Sequence, residues 1–224
     1  LDKSIPEQFL IYLQNAVTGD FGDSMTRKGT AVTTIIARCL PATMKLGLVA
    51  FIIAITVGVT LGIVAAFTKR KWVENLVMFV ATIGISVPSF LYAMLLMIVF
   101  GVILGWLPII GLKTPLHYIM PAFSLALYPI SMITRLVRSS MKEVMKQDYI
   151  VLARSKGTPM IKVILGHALK NCLIPVVTYA GPLLAFLITG SFVIESLFSI
   201  PGIGSEFVNS VTNRDYTMIM ALTI

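Results

Sequence analysis

Charged and apolar residues fall in separate blocks along this chain. From Leu46 to Thr68 a run of 23 residues carries no charge; at the helical rise it covers about 34 Å, enough for one bilayer crossing. Asn75 to Leu112 is also charge-free and too long for one straight crossing. Pro88 removes a backbone donor inside it, so the pattern predicts a kinked span over about 75–105, closed by Gly105-Trp106-Leu107-Pro108 with Trp106 at the interface. The next apolar run holds Pro115, Pro121 and Pro129, which predicts a bent or broken span over about 115–137. A fourth span is expected over 171–194, and 217–224 begins a fifth. Near the start, Phe9, Leu10, Leu13 and Val17 give Pro6 to Val17 a short amphipathic helical pattern. Gly19-Asp20-Phe21-Gly22-Asp23 reads as a turn.

Composition agrees with a membrane protein. Of 224 residues, 57% are hydrophobic and 12% charged, where soluble domains carry about 25% charged residues. Without water a span must satisfy its own backbone, and long uniform runs with few internal glycines suit helices better than the alternating strands of a barrel.

Charge assigns the sides. The link 69–74 and the loop 135–170 hold eleven basic and three acidic residues, whereas the other face balances seven against seven. The whole net charge of +8 therefore sits on one face, which the positive-inside rule makes cytoplasmic. Residues 1–38 and 195–216 are then extracytoplasmic. An external start with no signal peptide or initiator Met implies an earlier span, so six are expected in the complete protein. Cys39 and Cys172 fall at opposite faces and should not pair.

The basic loop has its own pattern. Arg135, Arg138, Lys142 and Lys146 recur every three or four residues, which extends the preceding helix beyond the bilayer. Asp148 to Lys156 continues in helical pattern and Gly157 can end it. Thr158 as N-cap and Pro159 at the first helical position restart a helix, Met160 to Leu169, with Ile161, Ile164, Leu165 and Ala168 on one face. A helix–glycine–helix knob of this kind suits a groove on a soluble partner. The basic stripe taken alone also fits orientation and lipid-headgroup contact.

Here the residues resemble a family. Ala153, four before Gly157, and the apolar helix after Thr158-Pro159 look like the EAA loop of ABC-importer permeases. Arg138-Ser139-Ser140-Met141-Lys142-Glu143-Val144, Asp148-Tyr149, Ala153-Arg154-Ser155-Lys156-Gly157 and His167-Ala168-Leu169-Lys170-Asn171 are similar to the dipeptide/oligopeptide/nickel branch, B-type subunit. So are Leu40-Pro41-Ala42-Thr43, Gly84-Ile85-Ser86-Val87-Pro88-Ser89-Phe90 and Glu195-Ser196-Leu197-Phe198-Ser199-Ile200-Pro201-Gly202-Ile203-Gly204. Val151 and Leu152 stand where the general loop has Glu and Ala, a departure the branch shares.

The resemblance implies an all-α polytopic membrane protein with the transmembrane domain of a type I ABC importer over 39–224, preceded by an extracytoplasmic segment, 1–38. It implies a transport subunit in a prokaryotic inner membrane that performs no chemistry, importing peptides or, alternatively, nickel or a metal chelate. The implied partners are a second permease, two ATPase subunits and an external substrate-binding protein, with no nucleic acid. ATP and Mg would be bound by the ATPases. This chain has no GxxxxGK[ST] phosphate loop and is expected to bind no cofactor.

Within the coupling loop, 138–170, the residues expected to engage an ATPase are Asp148, Tyr149, Ala153, Arg154, Gly157, Thr158 and Pro159. Ser86, Pro88 and Ser89 are candidates for lining the path, since a proline kink frees carbonyls that can face a cavity; a purely structural kink is the competing reading. Glu195, at the outer end of its span, is a candidate gate or binding-protein contact, or else a solvated interfacial acid. Pro201-Gly202-Ile203-Gly204 reads as a turn in an external loop that dips back towards the membrane. His117 and His167 lack ligands at metal spacing, and His167 is expected to pack within the second loop helix. A channel and a membrane-embedded enzyme are the remaining classes. The knob argues against the first, and the lack of HExxH or paired intramembrane carboxylates against the second.

Overall fold

The computed structural model describes residues 4–224. It contains helices and short connections, and among the described residues the only extended pairing is an isolated bridge between Asp23 and Ala31. Among the described residues, two helices are long and apolar enough to cross a bilayer, and two bent pairs qualify as broken spans.

α1 (Ile5–Val17) has Pro6 in its first turn, where the missing N–H costs nothing. Phe9, Leu10 and Val17 of its apolar face are exposed. α2 (Val32–Phe67) is 36 residues long, about 54 Å. It begins well before the expected start near residue 44, so the boundary expected at residue 38 falls inside it. α5 (Leu116–Val144) runs alongside it. The seam is made by small residues on α2, including Ala50, Ala54, Gly58 and Gly62. A Cβ on Gly58 would lie 2.8 Å from the Ile133 Cβ, and one on Gly62 only 2.5 Å from the Val137 Cβ. Small residues let two backbones approach closely where lipid supplies no hydrophobic drive between helices. At this seam Thr134 Oγ1 donates to the Ile130 carbonyl at 2.7 Å and lies 3.3 Å from the Gly58 carbonyl.

The expected kink at Pro88 is a break. α3 (Lys71–Ser86) and the helix beginning with α4 (Ser89–Leu96) meet at 105°. Val87, the residue before proline, is extended at φ −98°, ψ 129°, because the proline ring clashes with a helical neighbour. Tyr92 OH closes the corner by donating at 2.7 Å to the Ile83 carbonyl, which also accepts from Val87 N. α4 continues as a π-helical turn, Met97–Ile103. Trp106 follows and is exposed.

By contrast, α5 is one continuous helix through Pro121 and Pro129, where the sequence predicts a bent or broken span. Both prolines are buried. α2 and α3 pack along α5, so tertiary contacts hold the axis that each proline alone would weaken.

The loop helices are α6 (Asp148–Ser155), α7 (Met160–Val163) and α8 (Leu169–Cys172), the last two joined by a π-helical turn, Ile164–Ala168. The restart falls one residue later than expected: Pro159 is the N-cap, at ψ 139°, and Met160 the first helical residue. Lys162 N and Val163 N both donate to the Pro159 carbonyl. The buried face also differs. Val163 and Ala168 are buried, whereas Ile161 and Leu165 are exposed. A π-turn brings positions five apart onto one face, which the α-helical period does not. His167 is exposed rather than packed.

α9 (Ile174–Ile188) follows at 50° to this arm. The expected run to residue 194 is interrupted at Gly190, φ +93°, before α10 (Phe192–Leu197). The segment expected as an external loop instead holds a helix, α11 (Ile203–Thr212), with Gly202 as its N-cap, and α12 (Tyr216–Thr223) ends the chain. Cys39 and Cys172 are both free.

α12 docks on the start of α2 through Met218, Ala221, Val32 and Ile35. Asp215 caps it, accepting from Met218 N at 3.2 Å. The same carboxylate takes the Ser24 hydroxyl, Met25 N at 3.1 Å and Thr26 Oγ1 at 2.9 Å. Burial raises this carboxyl, but the bonds from Ser24, Met25, Thr26 and Met218 outweigh it and hold the pKa at about 2.

Two outcomes follow. Gly62→Ala should lower stability by about 1–3 kcal/mol through overpacking, while Gly166→Ala, where a Cβ meets nothing within 4 Å, should not; thermal unfolding in detergent reads both. For Asp215, the depressed pKa gives a contribution that is full above the ordinary value of 3.8 and is lost as pH falls from there through about 2. Asp215→Asn should therefore show a shallower loss of melting temperature over that window than wild type. Equal slopes would refute the linkage.

Candidate functional site

Three groups of residues stand out, one at the knob, one at the Pro88 corner and one at the far end of α2.

At the knob, α6 ends in a Schellman turn. Gly157, at φ +77°, donates to the Arg154 carbonyl at 2.9 Å, and Thr158 N donates to the Ala153 carbonyl at 3.2 Å. Ala153 and Gly157 are thus two ends of one hydrogen-bonded turn, and glycine takes the left-handed position at no steric cost. Ala153 is half-buried against the core. Asp148, the first residue of α6, and Arg154 are exposed. Tyr149 is 41% exposed, and its hydroxyl accepts from Asn171 Nδ2 at 2.7 Å, tying α6 to α8. Thr158 is half-buried and Pro159 exposed.

The knob's outer surface carries apolar side chains beside the charged ones. Val151, Leu152, Met160, Ile161 and Leu165 are all exposed. Its inner surface is anchored: Ile150, Val163, Ala168 and Cys172 share one buried cluster with Val137 and Met141 of α5, and Cys172 Sγ lies 3.5 Å from the Val137 carbonyl. Beside this anchor, Glu74 of α3 pairs with Arg138 and Lys142; Arg138 Nε donates to Glu74 Oε1 at 2.9 Å. These contacts fasten the knob and α3 to α5.

At the Pro88 corner lies a cavity of about 530 Å³. Ser86, Pro88 and Ser89 line it, so the structure brings all three together at one opening. The far wall is Tyr128 and Pro129 of α5 with Tyr179 and Pro182 of α9. Sequence reasoning missed the two tyrosines. Their signal is a neighbouring helix-interior proline, within one to three residues in each case, but nothing local says that the two helices face one space.

Glu195 is not a solvated acid. It is 0% exposed, because Gly190, the start of α11 at Gly202 and Gly204, and Thr43 of α2 close around its carboxylate. Oε2 accepts from Gly204 N at 2.7 Å and Ser205 N at 3.2 Å, at the start of α11. Thr43 of α2 accepts from Ile203 N at 2.8 Å beside it. Gly202 makes room: a Cβ there would lie 2.3 Å from Oε2. Oε1 has no hydrogen-bond partner. Burial pushes this carboxyl above the ordinary carboxylate range despite bonds from Thr43, Ser205, Gly204 and Ser191.

Residues 58–224 match the family described as binding-protein-dependent transport system inner membrane component. The dipeptide transport system permease protein DppB of Bacillus subtilis (strain 168) is 42% identical over 224 residues, covering 100% of this chain and 73% of the relative. The oligopeptide transport system permease protein OppB of Haemophilus influenzae is 41% identical over 226 residues, covering 100% and 74%. Among solved structures, the inward-facing MetNI methionine ABC transporter aligns with a TM-score of 0.68 at 18% identity, over 84% of this chain and 88% of that one. An amino acid ABC transporter gives 0.64 at 15% identity, over 85% of each. At those identities the likeness carries the fold alone, that of a type I ABC importer transmembrane domain. The chain belongs to the family of inner membrane components of binding-protein-dependent transport systems, as a permease subunit.

Proposed function

We propose that this chain pairs with a second permease to form the pathway of an ATP-driven importer of di- and oligopeptides. The observation that carries the mechanism is the anchored knob, exposed outside and fused to α5 inside. Peptides as the substrate class rest on the relatives' names, which favour them over the nickel alternative. Delivery would come from an external binding protein and energy from two ATPase subunits that bind ATP and Mg.

In this reading the face carrying 135–170 is cytoplasmic, and residues 1–38 and 195–216 are outside. The knob enters a groove on one ATPase, with Val151, Leu152 and Ile161 as apolar contacts and Asp148 and Arg154 as charged ones. Tyr149, Ala153, Gly157, Thr158 and Pro159 hold its shape. Because Val163, Ala168 and Cys172 are packed on α5, a push on the knob moves the membrane helices as a body rather than bending a loop. This is the coupling of two discrete states through a contiguous packed element. The cavity at Ser86, Pro88 and Ser89 forms part of the path, offering hydroxyls and freed carbonyls to a polar solute.

Glu195 is assigned the role of outer latch. It joins α10 to the start of α11 and sits against α2, so the outer helices move together. Being buried, it acts on these neighbours rather than on a binding protein directly.

Gly157→Pro forces φ to about −65° where the turn needs +77°, and it removes the Gly157 N–H donor. Peptide uptake per ATP hydrolysed by the reconstituted transporter should fall at least tenfold while the subunit still inserts; Ala153→Asp, which places a charge against the core, should do the same. Normal uptake in both variants would sink the coupling assignment. Glu195→Gln keeps an acceptor for Gly204 N and should retain uptake. Glu195→Ala leaves buried N–H groups unpaired, costing about 1–3 kcal/mol, and should lower both thermal stability and uptake.

A further inference from the structure

Arg135 lies inside a helix long and apolar enough to cross the bilayer. Arg138 and Lys142, further along, are paired with Glu74. Arg135 has no carboxylate partner among the described residues. Its Nη2 donates to Thr82 Oγ1 at 2.7 Å, and its Nε is buried with no acceptor. An arginine where a span meets the cytoplasmic face keeps its guanidinium on protein, in a water-filled space or at the headgroups.

The helical faces say which space. Tyr128 and Arg135 are seven residues apart, two turns, and so share one face of α5, separated by about 10 Å along the axis. Tyr128 walls the cavity at the Pro88 corner. On α3, Ser86 walls the same cavity, and its hydroxyl donates to the Thr82 carbonyl one turn away at 2.9 Å. Beyond the first turn of α3, the polar side chains are Asn75, Thr82 and Ser86. Spacings of seven and four put them on one face, with Phe79 among them, and all three are exposed. The Arg135–Thr82 pair therefore lies on a polar lane that continues from the cavity along both helices.

We propose that Arg135 is a substrate-binding residue of the pathway, and that the ligand is the carboxylate of the transported peptide. A planar guanidinium with free donors matches a carboxylate with two parallel hydrogen bonds. A peptide passing from the cavity along this lane meets no other unpaired cation on the two faces described. Thr82 holds the guanidinium in the lane while no peptide is present. This assignment rests on the peptide-importer reading.

The test uses the complete transporter in liposomes with its binding protein and a radiolabelled neutral tripeptide. Arg135→Gln should lower uptake at least tenfold more than it lowers ATP hydrolysis, and Arg135→Lys should restore the uptake-to-hydrolysis ratio to within threefold of wild type. Arg135→Cys, with the buried Cys39 and Cys172 left in place and treated wild type as the control, should regain uptake when treated with aminoethyl methanethiosulfonate but not with a neutral reagent of similar size. Tripeptide should slow that reaction at least threefold.

Unchanged uptake in Arg135→Gln overturns the proposal, as does a parallel loss of uptake and hydrolysis, which marks a structural role. An introduced thiol that water-soluble reagents do not reach assigns the arginine to a lipid headgroup. A reactive thiol that tripeptide does not protect assigns it to an acidic residue of the companion subunit. Failure of the wild-type transporter to take up peptide with ATP would instead overturn the importer reading itself.

Discussion

Close packing of α2 on α5 is the constraint on which the rest of the molecule depends. Apolar side chains gain little by leaving lipid for one another, so association must come from intimate contact. Gly58 and Gly62 leave no room for a side chain against Ile133 and Val137. The contact also supports α5, which stays one continuous helix through two prolines. α5 then serves as the common wall: it bounds the cavity through Tyr128 and Pro129 and anchors the knob through Val137 and Met141.

Against this rigid pair, the other elements are broken, and hydrogen-bond partners gather at each break. At Pro88 the Tyr92 hydroxyl joins Val87 N on the Ile83 carbonyl. At Gly157 the last carbonyls of α6 receive Gly157 N and Thr158 N. At the start of α11 the free N–H groups of Gly204 and Ser205 find the Glu195 carboxylate. Irregular backbone near a membrane persists only where such partners exist. One break opens the cavity, one shapes the knob, and one ties α10 to α11.

The three candidate groups are therefore mechanically connected. The knob is fused to α5 by buried side chains, and α5 passes the cavity and Arg135. Glu195 bridges α10 and α11 at the end of α2 that lies away from the knob. A displacement at the knob thus reaches the cavity through packed helices rather than through a flexible link.

Much of this was legible in the sequence because it is local. Charge-free runs longer than a bilayer is thick define the spans, and the uneven distribution of Lys and Arg sets the expected orientation. Glycine four residues after Ala153 marks a helix end, since only that residue takes φ +77° without strain. The Ser86, Pro88 and Ser89 corner was visible as a proline within an apolar run. What only the tertiary structure decided depends on the neighbour each residue meets. Pro88 gives a 105° break while Pro121 and Pro129 give none, because only the latter are held between packed helices. The Gly58–Gly62 spacing is plain in the chain but does not name the helix it receives. Glu195 reads as an interfacial acid until the start of α11 closes over it and buries it. Arg135 looks like one more basic residue of a stripe until Glu74 is seen to pair with its neighbours and leave it on the Thr82 hydroxyl.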